Sequence, residues 1–352
     1  MATIDAVWRG RDVTPSEIAD ALRSELAAMH RRDPGHVPAR ALNLVAIVDA
    51  AYRGEIANRL AAVGRFHASR TIILAVERGR TTLEGVTVLS APADAEPGGF
   101  GALRETVTVR LGPRHLEGVD RIVDPLVVSD LATCVWAPHG HFDAVRRLLG
   151  LAQVALLDSV DDPAPASALR RAREFAQEVY VVDLAWLRSS PWRERVATAL
   201  DPPPLRKRLQ AIASVEVSHH PDSTAAALLL VGWMASRLGW RPRGLAARGS
   251  ALQGTLDAGG REVTARLLPD RTMPVRGLAG ITLAGDGPWS LSLDRCAGGL
   301  RARSVDGDGE RTWLVLGASR GESGILGEGI RQALLRDPTY APALSAACAL
   351  LG

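Results

Sequence analysis

The sequence has little lysine, little cysteine and no long apolar run. Lys207 is the only lysine, and the arginines are spread among nearly as many acidic residues, which leaves a formal net charge of +3. Such a small charge supports no strong phosphate-binding field, so we expect no nucleic-acid partner. The longest apolar run, residues 225–235, is too short to cross a bilayer, so we expect no membrane partner.

The three cysteines, Cys134, Cys296 and Cys348, are far apart and lack the paired spacing of disulfide or metal sites. This usage is typical of reduced thiols in a cytosolic protein. The amino-terminal segment also lacks the basic start and apolar core of a secretion signal. We therefore expect a cytoplasmic protein that needs no structural metal.

Several catalytic motifs are missing or incomplete. The sequence has no Gly-Lys pair, which excludes a P-loop, and Val48-Asp49-Ala50-Ala51 stands where a dinucleotide-binding domain would carry its glycine-rich turn. Gly317-Ala-Ser319-Arg-Gly321 matches a nucleophile elbow, but no histidine follows His220 to act as its base. We expect no cofactor and no catalytic residues, which favours a protein that is not an enzyme.

The length of 352 residues favours two domains. Residues 1–40 are predicted to form an amphipathic helical arm, in which Thr14 and Glu17 make a capping box. The apolar stripe of this helix could pack on its own domain or on another subunit. It consists of Ile18, Leu22, Leu26 and Met29.

From residue 41 to residue 200, short apolar runs alternate with amphipathic stretches. This pattern predicts an α/β domain with a Rossmann-like, mostly parallel sheet and helices on both faces. Asp201-Pro-Pro-Pro204 marks the next boundary, because three prolines cannot continue a helix. Residues 201–352 are predicted to form a smaller α+β domain with an antiparallel sheet, since glycine-rich turn signals separate short alternating segments.

Two histidine clusters invite a functional interpretation. His139-Gly-His141-Phe-Asp143 follows a predicted buried strand and could hold a metal, but Ala144 stands where the next ligand is expected. A loop with Asp143 near the next helix explains the same residues, so we expect no metal. Before the apolar helix near residue 224, Asp222 is predicted to cap the helix, with His219 and His220 in an exposed turn.

Half of the eight tryptophans lie between Trp186 and Trp240. Because Trp and Arg together favour interface hot spots, this segment could form a partner surface; it could equally pack the two domains. We expect Trp192, at a helix start rich in arginine, to be a surface residue, and Trp186 to be packed. The candidate partner-binding residues are Trp186, Arg188, Trp192, Arg193, Trp233, Arg237 and Trp240.

A series of motifs runs along the chain from about residue 40. They are Ala41-Leu-Asn-Leu-Val45, Ser69-Arg-Thr-Ile-Ile73, the segment 127–136, Leu157-Asp-Ser159, Asp183-Leu-Ala-Trp186, Pro191-Trp-Arg193, the segment 228–240 and Asp337-Pro-Thr-Tyr340. In this order they resemble the OpcA family, the glucose-6-phosphate dehydrogenase assembly proteins of actinobacteria and cyanobacteria. Many relatives carry a cysteine-containing acidic stretch where this chain has Gly101-Ala-Leu-Arg104. Because Cys134, Cys296 and Cys348 share no local pairing pattern, redox control is not expected here.

The resemblance implies a non-catalytic subunit that binds glucose-6-phosphate dehydrogenase and favours its active oligomer, as an allosteric activator in the oxidative pentose phosphate pathway. One alternative is an enzyme or sensor that binds a sugar phosphate or nucleotide at the carboxyl ends of the parallel strands, near Asp49, Asp130, His139 and Asp158. Another is a scaffold for a different partner.

Overall fold

The computed structural model describes residues 3–32, 34, 36–38, 40–63, 68–92, 101–316, 321–333 and 335–352. These residues form two compact units, which are described separately. The first unit comprises Met1–Leu157, Glu178–Val182 and Glu322–Leu335. The second comprises Asp158–Gln177, Asp183–Gly321 and Arg336–Gly352.

Strands and helices alternate through the first half of the chain, and strands dominate the second. The strands are β1 (Thr3–Arg11), β2 (His36–Pro38), β3 (Leu42–Asp49), β4 (Ser69–Val76), β5 (Glu84–Pro92), β6 (Gly101–Leu111), β7 (Thr133–Trp136), β8 (Val154–Leu157), β9 (Tyr180–Asp183), β10 (Ile212–His219), β11 (Arg241–Arg248), β12 (Ala251–Asp257), β13 (Glu262–Pro269), β14 (Leu278–Gly285), β15 (Ser290–Cys296), β16 (Gly299–Asp306) and β17 (Gly309–Leu316). The helices are α1 (Pro15–Arg32), α2 (Arg53–Val63), α3 (Val119–Val123), α4 (Phe142–Leu148), α5 (Pro165–Phe175), α6 (Leu184–Arg188), α7 (Ser190–Leu200), α8 (Pro203–Leu209), α9 (Thr224–Leu238), α10 (Gly321–Gln332) and α11 (Tyr340–Ala349).

The sheet of the first unit runs in the order β1-β5-β6-β4-β3-β7-β8-β9, and β2 pairs with β6. Strands β6, β4, β3, β7 and β8 are parallel, whereas β5 runs antiparallel to both β1 and β6. In β3, seven consecutive residues are buried because a parallel strand is covered on both faces. The predicted mostly parallel, Rossmann-like sheet is confirmed.

The amino-terminal residues belong to this sheet. Strand β1, which the sequence interpretation missed, pairs with β5 from Thr3↔Pro92 to Arg11↔Glu84. Helix α1 follows, and the predicted capping box is present: the Thr14 amide donates to Glu17 Oε2 at 2.7 Å, and the Glu17 amide donates to Thr14 Oγ1. Ile18, Leu22 and Met29 are buried. The predicted arm, residues 1–40, is therefore part of the first unit.

The sheet of the second unit runs in the order β11-β12-β13-β10-β14-β15-β16-β17. Its pairs are antiparallel except for β10 with β13, so the predicted α+β part with an antiparallel sheet is confirmed. Helix α9 packs against α11 so closely that a Cβ added at Gly232 would lie 2.3 Å from the carbonyl oxygen of Ala343.

Five expectations differ from the structure. The apolar run Leu126–Val128 predicts a buried strand, but residues 124–126 form a 3₁₀ helix, since Pro125 can begin a helix but cannot donate to a sheet. The segment Leu205–Ile212 predicts a helix, but residues 212–219 form β10. His219 is buried at the end of β10, and Ser223 rather than Asp222 occupies the cap position of α9. The predicted boundary at residue 200 also differs from the units, because α5, α6 and α7 already lie in the second.

No helix in the described part of the chain is both long enough and apolar enough to span a membrane. The three cysteines are all described and form no disulfide; Cys134 and Cys348 are buried. Burial raises the pKa of the Cys134 thiol to about 12, which leaves it unreactive as a nucleophile.

Candidate functional site

Asp183 is a fully buried carboxylate at the end of β9, where it caps helix α6. Its Oδ1 accepts hydrogen bonds from the amides of Ser159, at 3.1 Å, and Ala185, at 2.9 Å. Its Oδ2 accepts from the Ser159 hydroxyl and from the Tyr340 hydroxyl, the latter at 3.2 Å. Burial, with a smaller contribution from Asp158, raises the pKa of Asp183 to about 6.

Trp186 lies one turn further along and joins two more segments. Its Nε1 donates to Asp337 Oδ2 at 2.8 Å, and its ring contacts that of Tyr340. The guanidinium of Arg193 lies 3.4 Å from the centre of the Trp186 ring, and its Nη1 donates to the Trp186 carbonyl at 2.7 Å. Burial lowers the pKa of Arg193 to about 10, although Asp337 opposes this shift.

The acidic groups of this region are held as hydrogen-bond acceptors. Burial alone would raise the pKa of Asp337, but hydrogen bonds from Thr339 and Trp186 hold it below its ordinary value. Arg188 donates to Asp158 through Nη1 at 2.8 Å and Nη2 at 2.7 Å. We call the connected side chains the motif network: Asp158, Ser159, Asp183, Trp186, Arg188, Arg193, Asp337 and Tyr340.

The motif network brings together four of the motifs noted in the sequence, which lie up to about 180 residues apart. Its carboxylates accept hydrogen bonds from within the second unit, and its aromatic rings are buried. Such a network fixes the packing of the unit, since each buried polar group has a bonding partner. Sequence reasoning singled out these motifs but not the bonds that join them.

Motifs of the first unit also make internal bonds. Asn43 in β3 is fully buried; its Nδ2 donates to the carbonyl of Val128 at 3.0 Å, and its Oδ1 accepts from the Val128 amide at 2.9 Å. Arg70 in β4 donates to Glu105 at 2.7 Å and to the carbonyl of Leu126 at 3.0 Å. These bonds attach the segment before β7 to the parallel strands.

The predicted partner-binding residues divide by exposure. Trp186, Trp192, Arg193 and Trp240 are buried, with Trp192 only 3% exposed. The expectation that Trp192 lies on the surface is wrong: Trp192, Val196 and Leu200 form the inward stripe of α7, at the i, i+4, i+8 spacing of a helix face. Arg188 and Trp233 are partly exposed, and Arg237 is exposed.

Trp233 and Arg237 line an open groove on the second unit. Helices α7, α8 and α9 enclose about 280 Å³ there, and the apolar lining consists of Val196, Leu200, Leu209, Trp233, Met234 and Leu238. Asp201, Arg206 and Arg237 supply charge at its edges. Of the predicted residues, these two are the ones that a partner could reach in an apolar recess.

The strand order of the first sheet reverses between β3 and β7. We call the carboxyl ends of these two strands the reversal point; it is the topological switch point at which α/β proteins commonly bind ligands. Asp49 ends β3, and its Oδ1 lies 2.9 Å from His141 Nε2. Tyr52, in the 3₁₀ turn after Asp49, stacks on His139 with ring centres 4.2 Å apart. Burial lowers the pKa of His139, which therefore favours the neutral ring.

The other residues expected near a ligand are not brought into this arrangement. Asp130 lies exposed in a turn of the first unit, and Asp158 belongs to the motif network of the second. Within the described ranges, no group of three or more His, Cys, Asp or Glu side chains is placed to hold a metal ion. Most of the Gly317–Gly321 motif lies outside the described residues.

Comparison with known proteins assigns the chain. Residues 60–174 match the family model described as the N-terminal domain of a glucose-6-phosphate dehydrogenase subunit, and residues 179–344 match its C-terminal domain. The chain belongs to the OpcA family. The two matched ranges together cover about four fifths of the chain and meet close to the end of α5.

Cyanobacterial OpcA proteins are similar over part of their length. The protein of Synechococcus elongatus is 32% identical over 209 residues, which are 58% of this chain and 45% of the relative. That of Synechocystis sp. is 30% identical over 142 residues, 39% of this chain and 30% of the relative. Both bear the provisional name OxPP cycle protein OpcA. The matched segments thus span less than half of these relatives.

A solved structure of a 3-ketoreductase shares the fold. The 3-ketoreductase KijD10 from Actinomadura kijaniata, solved with TDP-benzene and NADP, superposes with a TM-score of 0.51 at 16% sequence identity. The match covers 88% of this chain and 95% of the reductase. At this sequence identity, the similarity shows a shared fold and implies no shared function. This OpcA-family chain thus has the fold of a Rossmann-like reductase.

Proposed function

We propose that this chain is a non-catalytic subunit that binds glucose-6-phosphate dehydrogenase in the cytoplasm and favours its active oligomer, as an allosteric activator in the oxidative pentose phosphate pathway. The observation that carries the proposal is the pair of family models, both described as domains of a glucose-6-phosphate dehydrogenase subunit, that match most of the chain.

The reversal point of the first sheet supports the non-catalytic part of the proposal. In dinucleotide-binding domains, glycines after the first strand let the backbone approach the pyrophosphate. Here Asp49 ends that strand and is followed by Ala50, Ala51 and Tyr52. Asp49 contacts His141, and Tyr52 stacks on His139. The turn after this strand therefore carries side chains that contact each other, and it lacks the glycines that would let a pyrophosphate approach the backbone.

An activator of this kind acts through differential affinity. A subunit that binds the active oligomer a hundredfold more tightly than the inactive form shifts the equilibrium by about 2.7 kcal/mol at saturation. It needs a binding surface and a rigid scaffold but no reactive group. The motif network supplies rigidity in the second unit, and the groove of the same unit supplies an accessible apolar surface.

The proposal is tested with the purified chain and the dehydrogenase from the same organism. Size-exclusion chromatography should show a joint complex, and the initial rate of NADP reduction should rise as the chain is added. The chain alone should give no NADP reduction with glucose 6-phosphate. An unrelated protein at the same concentration serves as the control. Separate elution together with an unchanged rate would refute the proposal.

A second candidate is a sensor that binds a small polar ligand at the reversal point. One observation favours it: Trp136 Nε1 and His139 Nδ1 are buried and have no hydrogen-bond partner in the described structure. Buried polar atoms without hydrogen-bond partners are rare in proteins. Calorimetric titration with glucose 6-phosphate and with NADP tests this candidate. Heat that disappears in Trp136→Phe would support it, and no heat with either compound would count against it.

A further inference from the structure

The groove on the second unit exposes apolar surface that the described chain leaves uncovered. Its floor includes Val196 and Leu200 of α7 and Met234 of α9, which are buried, whereas Trp233 and Leu238 remain partly exposed. An apolar recess with a polar rim is one form that a protein-binding site takes. The recess therefore points to a binding partner.

The size of the groove limits what it can hold. The groove volume is about 280 Å³. Pockets for drug-sized ligands are usually larger, at roughly 300–1,000 Å³. A nucleotide or dinucleotide would need a larger cavity. One or two apolar side chains from another protein fit the volume better.

The charges at the edge of the groove favour an acidic partner. Arg206 donates to both the carbonyl and the carboxylate of Asp201, so these two opposite charges largely offset each other. Arg237 is exposed and makes no ion pair with any residue that the structure describes. Lys207 of α8 is also exposed. The remaining charge is positive and would attract a carboxylate next to the bound apolar group.

We infer that this groove receives an apolar side chain of glucose-6-phosphate dehydrogenase, and that a neighbouring carboxylate of the dehydrogenase pairs with Arg237. This inference rests on the proposed function, because it names the surface through which that partner is bound. Trp233 and Arg237 then act as interface anchors, since Trp and Arg are the residues that most often dominate binding energy at protein interfaces.

Two pairs of variants test the assignment in the full chain. Ala197→Trp places a large ring into the groove from an exposed position of α7, and Thr198→Trp adds the same ring at the next exposed position, which does not line the groove. Arg237→Glu reverses the charge at the groove. Arg248→Glu makes the same charge change on β11, away from the groove lining.

The measurement is the dissociation constant of each variant for the dehydrogenase, obtained by calorimetric titration, with circular-dichroism melting to verify folding. We expect Ala197→Trp and Arg237→Glu to weaken binding at least tenfold, and their two controls to change it by less than twofold. Rising salt should weaken binding of the dehydrogenase by the wild type more than by Arg237→Glu. The reason is that salt screens the ion pair between Arg237 and the partner's carboxylate, which the variant lacks.

The outcomes separate the groove from the proposed function. If the wild type binds the dehydrogenase and Ala197→Trp and Arg237→Glu bind it equally well, the groove assignment is overturned and the proposed function stands. Equal weakening by test and control variants also overturns it. If the wild type does not bind the dehydrogenase at all, the groove assignment and the proposed function are both refuted. If Ala197→Trp instead converts a dimer of the chain into monomers and leaves dehydrogenase binding unchanged, the occupant is a second copy and the assignment is wrong.

Discussion

The hydroxyl of Tyr340 donates a hydrogen bond to Asp183 Oδ2 at 3.2 Å, although 157 residues separate them in the sequence. Asp183 caps α6 and Tyr340 begins α11, so this bond joins two distant parts of the second unit at a fully buried carboxylate. The bond belongs to the motif network.

Removing the Tyr340 hydroxyl should destabilise the protein. We expect Tyr340→Phe to lower the free energy of unfolding by about 2 kcal/mol, because hydrogen bonds to charged groups contribute about 1.5–3 kcal/mol. Urea unfolding measures the change. Tyr52→Phe removes a hydroxyl from a residue that is 45% exposed and should change stability by less than about 0.5 kcal/mol. Equal effects of the two variants would contradict a special role for Tyr340.

Asp183 should give the protein a distinctive pH dependence. Its pKa is about 6 in the folded chain, against 3.8 for an unperturbed Asp. Between these values the folded chain keeps a proton that the unfolded chain releases, so the contribution of Asp183 to stability is largest below pH 4. It falls as the pH rises to about 6. Two pKa units correspond to about 3 kcal/mol.

The variant Asp183→Asn removes this titration. We therefore expect the wild type to lose up to about 3 kcal/mol of stability relative to Asp183→Asn as the pH rises from 4 to 7. Urea unfolding at several pH values measures it. The comparison cancels the other titrating groups. A difference that stays constant with pH would show that Asp183 is not held at a raised pKa.

At Gly232, we expect the cost of overpacking by an added methyl group to exceed the gain in helix propensity. Replacing a glycine inside a helix by alanine normally gains about 1 kcal/mol. A Cβ at position 232, however, would lie 2.3 Å from the carbonyl oxygen of Ala343 and 2.8 Å from the amide of Ala347. Overpacking of this kind costs about 1–3 kcal/mol, so we expect Gly232→Ala to be less stable than wild type.

A second helical glycine provides the control. A Cβ at Gly54 of α2 would meet nothing within 4 Å. Gly54→Ala should therefore leave stability unchanged or raise it slightly. Thermal unfolding compares the two variants. Stabilisation by Gly232→Ala would show that α9 and α11 do not pack as closely as described.

Trp192 should act as a core residue. Trp192→Ala would open a cavity in the second unit and cost about 3–5 kcal/mol of stability, as other large-to-small core changes do. Trp313 in β17 is 39% exposed, and Trp313→Ala should cost far less. Denaturant unfolding of both variants measures the contrast. An unchanged denaturation midpoint for Trp192→Ala would show that Trp192 is a surface residue.

Local patterns predicted much of the fold. The capping box at Thr14 depends on residues three apart, and the buried runs of β3 and β4 are continuous in the sequence, so both could be predicted. Strand β1 could not, because its pairing with β5 joins segments about eighty residues apart and the strand itself is rich in polar residues. In β10, the alternating Val215 and Val217 are a local strand pattern, so this strand is predictable from the sequence.

The candidate site was predictable only in part. Trp233 and Arg237 were singled out by residue type, and the groove that they line depends on the folding together of α7, α8 and α9. The buried stripe of Trp192, Val196 and Leu200 shows a helical spacing that argues against a surface role for Trp192. The motif network required the structure, since its bonds join residues up to 157 positions apart.

The central claim is that the chain favours the active oligomer of glucose-6-phosphate dehydrogenase. The most direct test follows the rate per dehydrogenase subunit as the enzyme is diluted until its oligomer dissociates, with and without a saturating amount of the chain. Because a ligand shifts an equilibrium towards the form that it binds more tightly, we expect the chain to move the loss of activity to at least tenfold lower enzyme concentration. Superimposable dilution curves, under conditions in which the two proteins form a complex, would contradict the account.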